Sequence, residues 1–296
     1  MATVTGLLAG IAGTGRDGVR GGYTRPVYST AELDLRTWFC EQAAARGLAA
    51  ETDRNGVIWA WWDVPGRPGR ADAVVTGSHL DSVPGGGPFD GPLGLASALV
   101  AVDLLKERGT VPRRPLALAV FPEEEGSRFG VACLGSRLLS GAIDPDKVRN
   151  LKDPDGSTFA DVARKAGLDP RFIGPDPQAL SRIGAFVELH VEQGRGLADL
   201  DRPVAIGSSV LGHGRWRLHV AGEGNHAGTT LMQDRRDPMA AAAAMVQAGR
   251  AVALGHRHAR ATVGRIVPVP GGTNVIASSV DLWLDVRHPD DAVTAA

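Results

Sequence analysis

The sequence is poor in cysteine, lysine and tyrosine, and it carries almost no net charge. Its two cysteines, Cys40 and Cys133, cannot build a disulfide framework and suit a reducing cytoplasm. A balance of −1, from 32 Lys plus Arg against 33 Asp plus Glu, lacks the basic surplus that nucleic acid or an anionic membrane would demand of a main partner. The longest apolar run near the start, Gly6 to Ala12, is too short to span a bilayer, and no basic residue precedes Arg16 to form the charged part of a secretory signal. Only four of the cations are lysine, which, with abundant Gly and Ala, reads as the codon bias of a GC-rich genome. What is there is a 296-residue chain, 43% hydrophobic and 22% charged, long enough for one large domain or two smaller ones.

Strand and helix patterns alternate, as in an α/β fold whose sheet is flanked by helices. Leu33, Leu35, Trp38, Phe39 and Ala43 recur at helical spacing and predict a helix from Ala31 to Gly47. Val57 to Asp63 reads as a strand, and Ala73 to Ser78, Leu116 to Phe121 and Ala185 to Val191 as buried ones. Leu93 to Lys106 reads as a buried helix with Pro92 in its first turn. Ser140 to Ser181 is rich in Asp, Pro and Gly and reads as surface loops around one short helix, Phe159 to Gly167. After about Ser208 the character changes. Arg215 to Val220 and Val280 to Arg287 alternate, with Trp216, Leu218, Val220, Val280, Leu282, Leu284 and Val286 facing inward, as in sheets with one wet face. Asp237 to Leu254 reads as a helix between them. A first domain over 1–207 and a second over 208–296 are therefore expected.

Three clusters carry chemistry. His79 and Asp81 follow the strand ending at Ser78, and Asp90-Gly91 precedes the helix from Leu93. An imidazole and a carboxylate so placed suit a divalent metal, with the Asp81 carboxylate able to accept the other ring N–H of His79 and fix its tautomer. Glu123-Glu124-Glu125-Gly126 follows the strand Leu116 to Phe121, and three adjacent carboxylates repel unless a cation neutralises them or water solvates them. Glu188-Leu189-His190-Val191-Glu192-Gln193-Gly194 closes the third strand. Taken singly, each has a plainer reading: a polar turn histidine, a solvated acidic run, a locally bonded histidine. Together they fall at the C-terminal ends of buried strands, where open α/β sheets bind ligands, and point to a metal site.

The order His79-x-Asp81, Asp90-Gly91, Glu124-Glu125-Gly126 and Glu188-Leu189-His190-x-Glu192-Gln193-Gly194 resembles the M20-type dinuclear metallohydrolases. Glu124 to Gly130 and Gly222-Glu223-Gly224-Asn225-His226-Ala227-Gly228-Thr229-Thr230 narrow the resemblance to the hydantoinase/carbamoylase branch of N-carbamoyl-L-amino acid hydrolases, allantoate amidohydrolases and ureidopropionases. The resemblance implies a mixed-sheet catalytic domain with an inserted, smaller α+β lid and dimerisation domain. It implies two divalent ions (zinc, manganese, cobalt or nickel), with Asp90 bridging them, His79 and His190 on one and Glu125 on the other. Glu124 would be the general base, and His226 would stabilise the oxyanion in the partner subunit of a homodimer. Gln193, Asn274 and Arg287 would bind the carboxylate of a small carbamoyl or ureido acid, a task for which a guanidinium is well shaped. The plainer reading of Arg287 is a surface charge paired with Asp285.

Pro92, Glu123, His213 and Leu231 depart from the residues usual in that branch, and none is one of the implied ligands. Members of the branch continue past the equivalent of Pro289-Asp290-Asp291 and return to the first domain, which supplies a last histidine to the second metal. For a chain ending at Ala296, the resemblance leaves two expectations. Either this is an incomplete version of a longer hydrolase, or it is a non-catalytic remnant that binds metal weakly or dimerises.

Overall fold

In the computed structural model, which describes residues 2–295, the apolar runs of the first part become one mixed sheet whose central strands are covered on both faces, whereas the run from Ala185, expected to be buried, lies at the sheet edge with Phe186 43% and Val187 62% exposed. Its elements are α1 (Val4–Gly10), α2 (Thr30–Ala45), β1 (Ala49–Thr52), β2 (Ile58–Trp62), β3 (Ala73–His79), α3 (Pro92–Glu107), β4 (Leu116–Phe121) and α4 (Leu134–Ser140). They continue with α5 (Pro145–Arg149), α6 (Phe159–Lys165), α7 (Pro177–Ser181), β5 (Ile183–Val187) and α8 (Gly196–Asp199). The strand order is β1-β2-β4-β3-β5. β3 runs parallel to β4 and β5, whereas β2 is antiparallel to β1 and β4.

Alternate residues of each central strand serve opposite faces. Ile58, Ala60, Leu118 and Val120 pack with Leu35 and Phe39 of α2 and Leu95 and Leu99 of α3. Val57, Trp59, Trp61, Ala117 and Ala119 pack on the other side with Leu139 and Ala179. Burial on both faces is why these strands read as continuous hydrophobic runs rather than alternating ones. The segment from Ser140 to Ser181 is more ordered than its composition suggests. It holds α5 and α7 as well as α6, and Val148, Phe159, Val162 and Ile173 join Phe129 and Leu138 in a buried cluster.

Contacts divide the chain into two units, Met1–Asp199 and Leu200–Ala296. The boundary precedes the expected 207/208 because the irregular stretch from Leu200 to Gly212 belongs with the second unit. That unit contains β6 (His213–Ala221), β7 (Asn225–His226), α9 (Pro238–Gly255), β8 (Arg260–Val269), β9 (Val275–Ile276), β10 (Ser279–Arg287) and α10 (Asp291–Ala295). β8, β10 and β6 form an antiparallel sheet in the order β6-β10-β8. Leu218, Val220, Val263, Val280 and Leu282 pack against Ala242 of α9. Trp216 departs from the expected inward face: it remains 41% exposed, its ring lying over Gly214, where no side chain intervenes. No helix among the described residues is long and apolar enough to cross a membrane.

Candidate metal centre

The C-terminal ends of the three parallel strands supply the site. β3 ends on His79, β4 delivers Pro122 to Glu125, and the chain leaving β5 carries Glu188 to Gln193. β5 stops at Val187 instead of the expected Val191, so His190 sits on the loop beyond the strand. The tight turn at Asp90-Gly91 depends on glycine. Gly91 has φ +83°, and a Cβ there would lie 2.5 Å from the His79 carbonyl oxygen and 2.7 Å from its Nδ1.

Ligand atoms of His79, Asp90 and His190 all lie within 4.8 Å of one another. His190 Nε2 is 3.2 Å from Asp90 Oδ1, and His79 Nε2 is 3.9 Å from the same oxygen. Both imidazoles present the correct nitrogen. His79 Nδ1 is 2.9 Å from the Asp81 carbonyl oxygen, and His190 Nδ1 is 3.0 Å from that of Val191. A carbonyl only accepts, so each neutral ring carries its proton on Nδ1 and leaves an Nε2 lone pair for a metal. His79 Nε2 is buried with no hydrogen-bond partner among the described residues.

The Asp81 carboxylate does not take the role expected from its spacing. The backbone carbonyl of Asp81 holds the His79 ring, while the carboxylate accepts the N–H groups of Glu124 and Glu125, each at 3.1 Å. Those two donors occupy both oxygens, and Oδ1 stays 3.8 Å from His79 Nδ1.

The three consecutive glutamates part company. Glu123 has φ +51° and turns inward, where its Oε1 accepts the N–H groups of Arg128 and Phe129 at 3.0 and 2.6 Å. Glu124 Oε2 faces His79 Nε2 at 3.8 Å, and Glu125 lies beside Asp90. Gln193 Nε2 donates to Asp90 Oδ2 at 2.7 Å. Burial pushes the pKa of Asp81 up to about 6. Burial and then the neighbouring Asp90 charge push Glu125 to about 7. Carboxylates crowded in this way resist ionisation until a cation balances them.

In the second unit, β7 pairs with β9, and Ala227 N–H donates to the Asn274 carbonyl at 3.1 Å, so His226 and Asn274 sit on one ribbon. His226 Nδ1 accepts from Gly228 N–H at 3.1 Å, which leaves its ring proton on Nε2 as a donor. Arg287 donates from Nε to Asp285 at 2.8 Å, and Arg215 shares that carboxylate. The pairing with Asp285, the plainer of the two sequence expectations, is therefore present.

Residues 75–276 match the model described as peptidase family M20/M25/M40. The chain belongs to that family. It is 38% identical over 258 residues to an N-carbamoyl-L-amino acid amidohydrolase of Geobacillus stearothermophilus, covering 83% of this chain and 62% of that enzyme. It is 35% identical over 277 residues to an allantoate amidohydrolase of Escherichia coli, covering 92% of this chain and 66% of that one. The chain thus spans a little under two-thirds of the length of these relatives. A crystal structure of a hydantoinase/carbamoylase family amidase from Burkholderia vietnamiensis superposes with a TM-score of 0.89 at 30% identity, over 99% of this chain and 69% of that one.

Hydrolases of the M20 family are generally metal-dependent, and the donor set of this M20 chain fits a divalent ion. It offers two imidazole Nε2 lone pairs, the shared Asp90 carboxylate and a second carboxylate, Glu125, beside it. Three contacts at the site had no signal in the sequence. Ser78 Oγ donates to Glu188 at 2.7 Å, Cys133 Sγ lies 3.3 Å from Glu124 Oε1, and Glu123 anchors the loop through Phe129. Each joins residues without a periodic relationship, so only the folded chain reveals them.

Proposed function

We propose that the chain forms the metal-binding and substrate-binding parts of an amidohydrolase that cleaves the carbamoyl or ureido C–N bond of a small acid. On an N-carbamoyl-L-amino acid the products would be the amino acid, carbon dioxide and ammonia. The observation that carries this reading is the convergence of His79, Asp90 and His190 beside Glu124 and Glu125. His79 and His190 would hold one ion, Glu125 a second, and Asp90 both. When bound, the ions supply Lewis-acid polarisation of the scissile carbonyl and acidify the attacking water.

Glu124 then needs only to take a proton at Oε2 and return it to the departing nitrogen. The Nε2–H of His226 is suited to donate to the oxyanion that develops on the former carbonyl, a task that would be performed across a homodimer. Half-exposed Met239, Met245 and Val252 on α9 support an interface on the second unit. Carboxylate recognition falls to Gln193, Asn274 and Arg287, with the Arg287 guanidinium held in orientation by Asp285. The free thiols of Cys40 and Cys133 fit a cytoplasmic setting. Allantoate is the second substrate reading, supported by the Escherichia coli relative.

The test loads the protein with Mn2+ or Zn2+, counts bound metal, and follows ammonia release from N-carbamoyl-L-methionine, N-carbamoyl-β-alanine and allantoate. Turnover of one of these is expected, and Glu124→Gln is expected to abolish it with metal content nearly intact. Unchanged turnover in that variant would overturn the mechanism. Absence of both metal and turnover in the parent chain would favour a non-catalytic remnant.

A further inference from the structure

The loop carrying Glu124 is bound along its length to the start of α4. Gly135, Leu134 and Cys133 donate their N–H groups to the carbonyls of Pro122, Glu123 and Glu124 at 3.1, 3.0 and 2.6 Å. Three orphan donors of a helix start are thereby satisfied. Cys133 and Glu124 meet a second time through their side chains, with Sγ 3.3 Å from Oε1. A thiol facing a carboxylate oxygen acts as the donor.

We propose that Cys133 is a positioning residue for Glu124, its thiol holding Oε1 so that Oε2 faces the His79–Asp90–His190 cluster. The proposal rests on the hydrolase reading above. Among the described residues, no other hydrogen-bond donor reaches Oε1. The backbone of Cys133 is fixed where its side chain leaves the chain. Cys133 occupies the left-handed region with φ +56°, its N–H is committed to Glu124, and its carbonyl accepts from Ser136 Oγ at 3.1 Å. These contacts fix the direction of the Cα–Cβ bond, from which Sγ reaches Glu124 Oε1 at 3.3 Å. Burial and the Glu124 charge push the thiol pKa up to about 11, so at neutral pH the sulfur keeps its proton as a donor and is a poor nucleophile. One oxygen of the carboxylate is thus fixed by the chain, and the other remains free to exchange a proton.

Alanine and serine meet the left-handed backbone at Cys133 at similar cost, so C133A and C133S differ chiefly in the donor. With metal-loaded protein, C133A is expected to lower kcat about fivefold with KM within about twofold, and C133S to recover most of the loss. Metal content should be equal in all three proteins. A second measurement needs no turnover: alkylation of Cys133 by iodoacetamide, resolved from Cys40 by peptide mass spectrometry. E124Q removes the charge that holds the thiol proton and should speed alkylation at pH 8.5 by about tenfold. An unchanged kcat in C133A, or equal alkylation rates with and without the Glu124 carboxylate, would overturn the proposal. If the parent protein hydrolyses no ureido acid, the hydrolase reading fails, and the alkylation rates alone decide whether Cys133 holds Glu124.

Discussion

The Asp81 carbonyl oxygen, 2.9 Å from His79 Nδ1, sets the histidine tautomer, while the carboxylate of the same residue holds the backbone of Glu124 and Glu125. One residue therefore fixes a metal-facing ring with its main chain and the loop of the candidate base with its side chain. Asp81→Asn separates the two. The carbonyl contact survives, so metal affinity should stay within about threefold. Turnover should fall at least tenfold, because an amide accepts on one oxygen only and loosens the 124–125 backbone. A loss of metal affinity of 10- to 100-fold would instead mean that the carboxylate orients His79.

Chelated protein should lose stability as pH rises. Folded-state pKa values of Asp81 at about 6, Glu125 at about 7 and Glu123 at about 8 are all raised, chiefly by burial, above the ordinary carboxylate range. Raised values mean that the folded state binds more protons than the unfolded one, so the stabilisation is full below about pH 4 and is lost as pH climbs to about 8. Thermal denaturation in chelator should show a Tm that drops by at least ~5 °C between pH 5 and pH 8.5. Added Mn2+ should recover the part owed to Glu125, the one of the three placed to face a metal ion. Glu123→Gln, which keeps the acceptor for Arg128 and Phe129 N–H, should flatten the slope.

Glu32 and Arg36 form a buried pair at 2.6 Å, with Glu32 also accepting Tyr28 N–H and Arg36 donating to the Gly56 carbonyl. Glu32→Ala strands a buried guanidinium and should cost about 3–5 kcal/mol in urea unfolding. A loss under 1 kcal/mol would show that water reaches the site.

Arg287→Lys keeps the charge but loses the planar fork. If Arg287 binds the substrate carboxylate, KM for N-carbamoyl-L-methionine should rise at least tenfold with kcat within about twofold. An unchanged KM would reduce Arg287 to its ion pair with Asp285.

Much of the fold is legible in the residue pattern. Uninterrupted apolar runs such as Leu116 to Phe121 announced strands buried on both faces, because a strand covered on both sides has no wet face to mark with polar residues. The alternation of Arg215 to Val220 announced the half-exposed sheet of the second unit for the converse reason, although Trp216 broke the pattern by lying over Gly214. His79, Asp90, Glu124, Glu125 and His190 were legible as a set because each falls at or shortly past a strand or before a helix, although the apolar run carries on to Val191 where the strand itself stops at Val187. β8 carries no clear strand pattern, since Arg260 to Val269 mixes exposed arginines with a proline. Tertiary structure alone decided which atom of Asp81 meets His79, that Glu123 turns inward while its neighbours face the site, and that Cys133 reaches Glu124. These are choices between atoms of one residue, or between residues far apart on no common period, and they depend on backbone direction at single positions such as the left-handed Glu123 and Cys133. Hydrophobic pattern shows where an element lies, and only the packed chain fixes where it ends and which way the next side chain points.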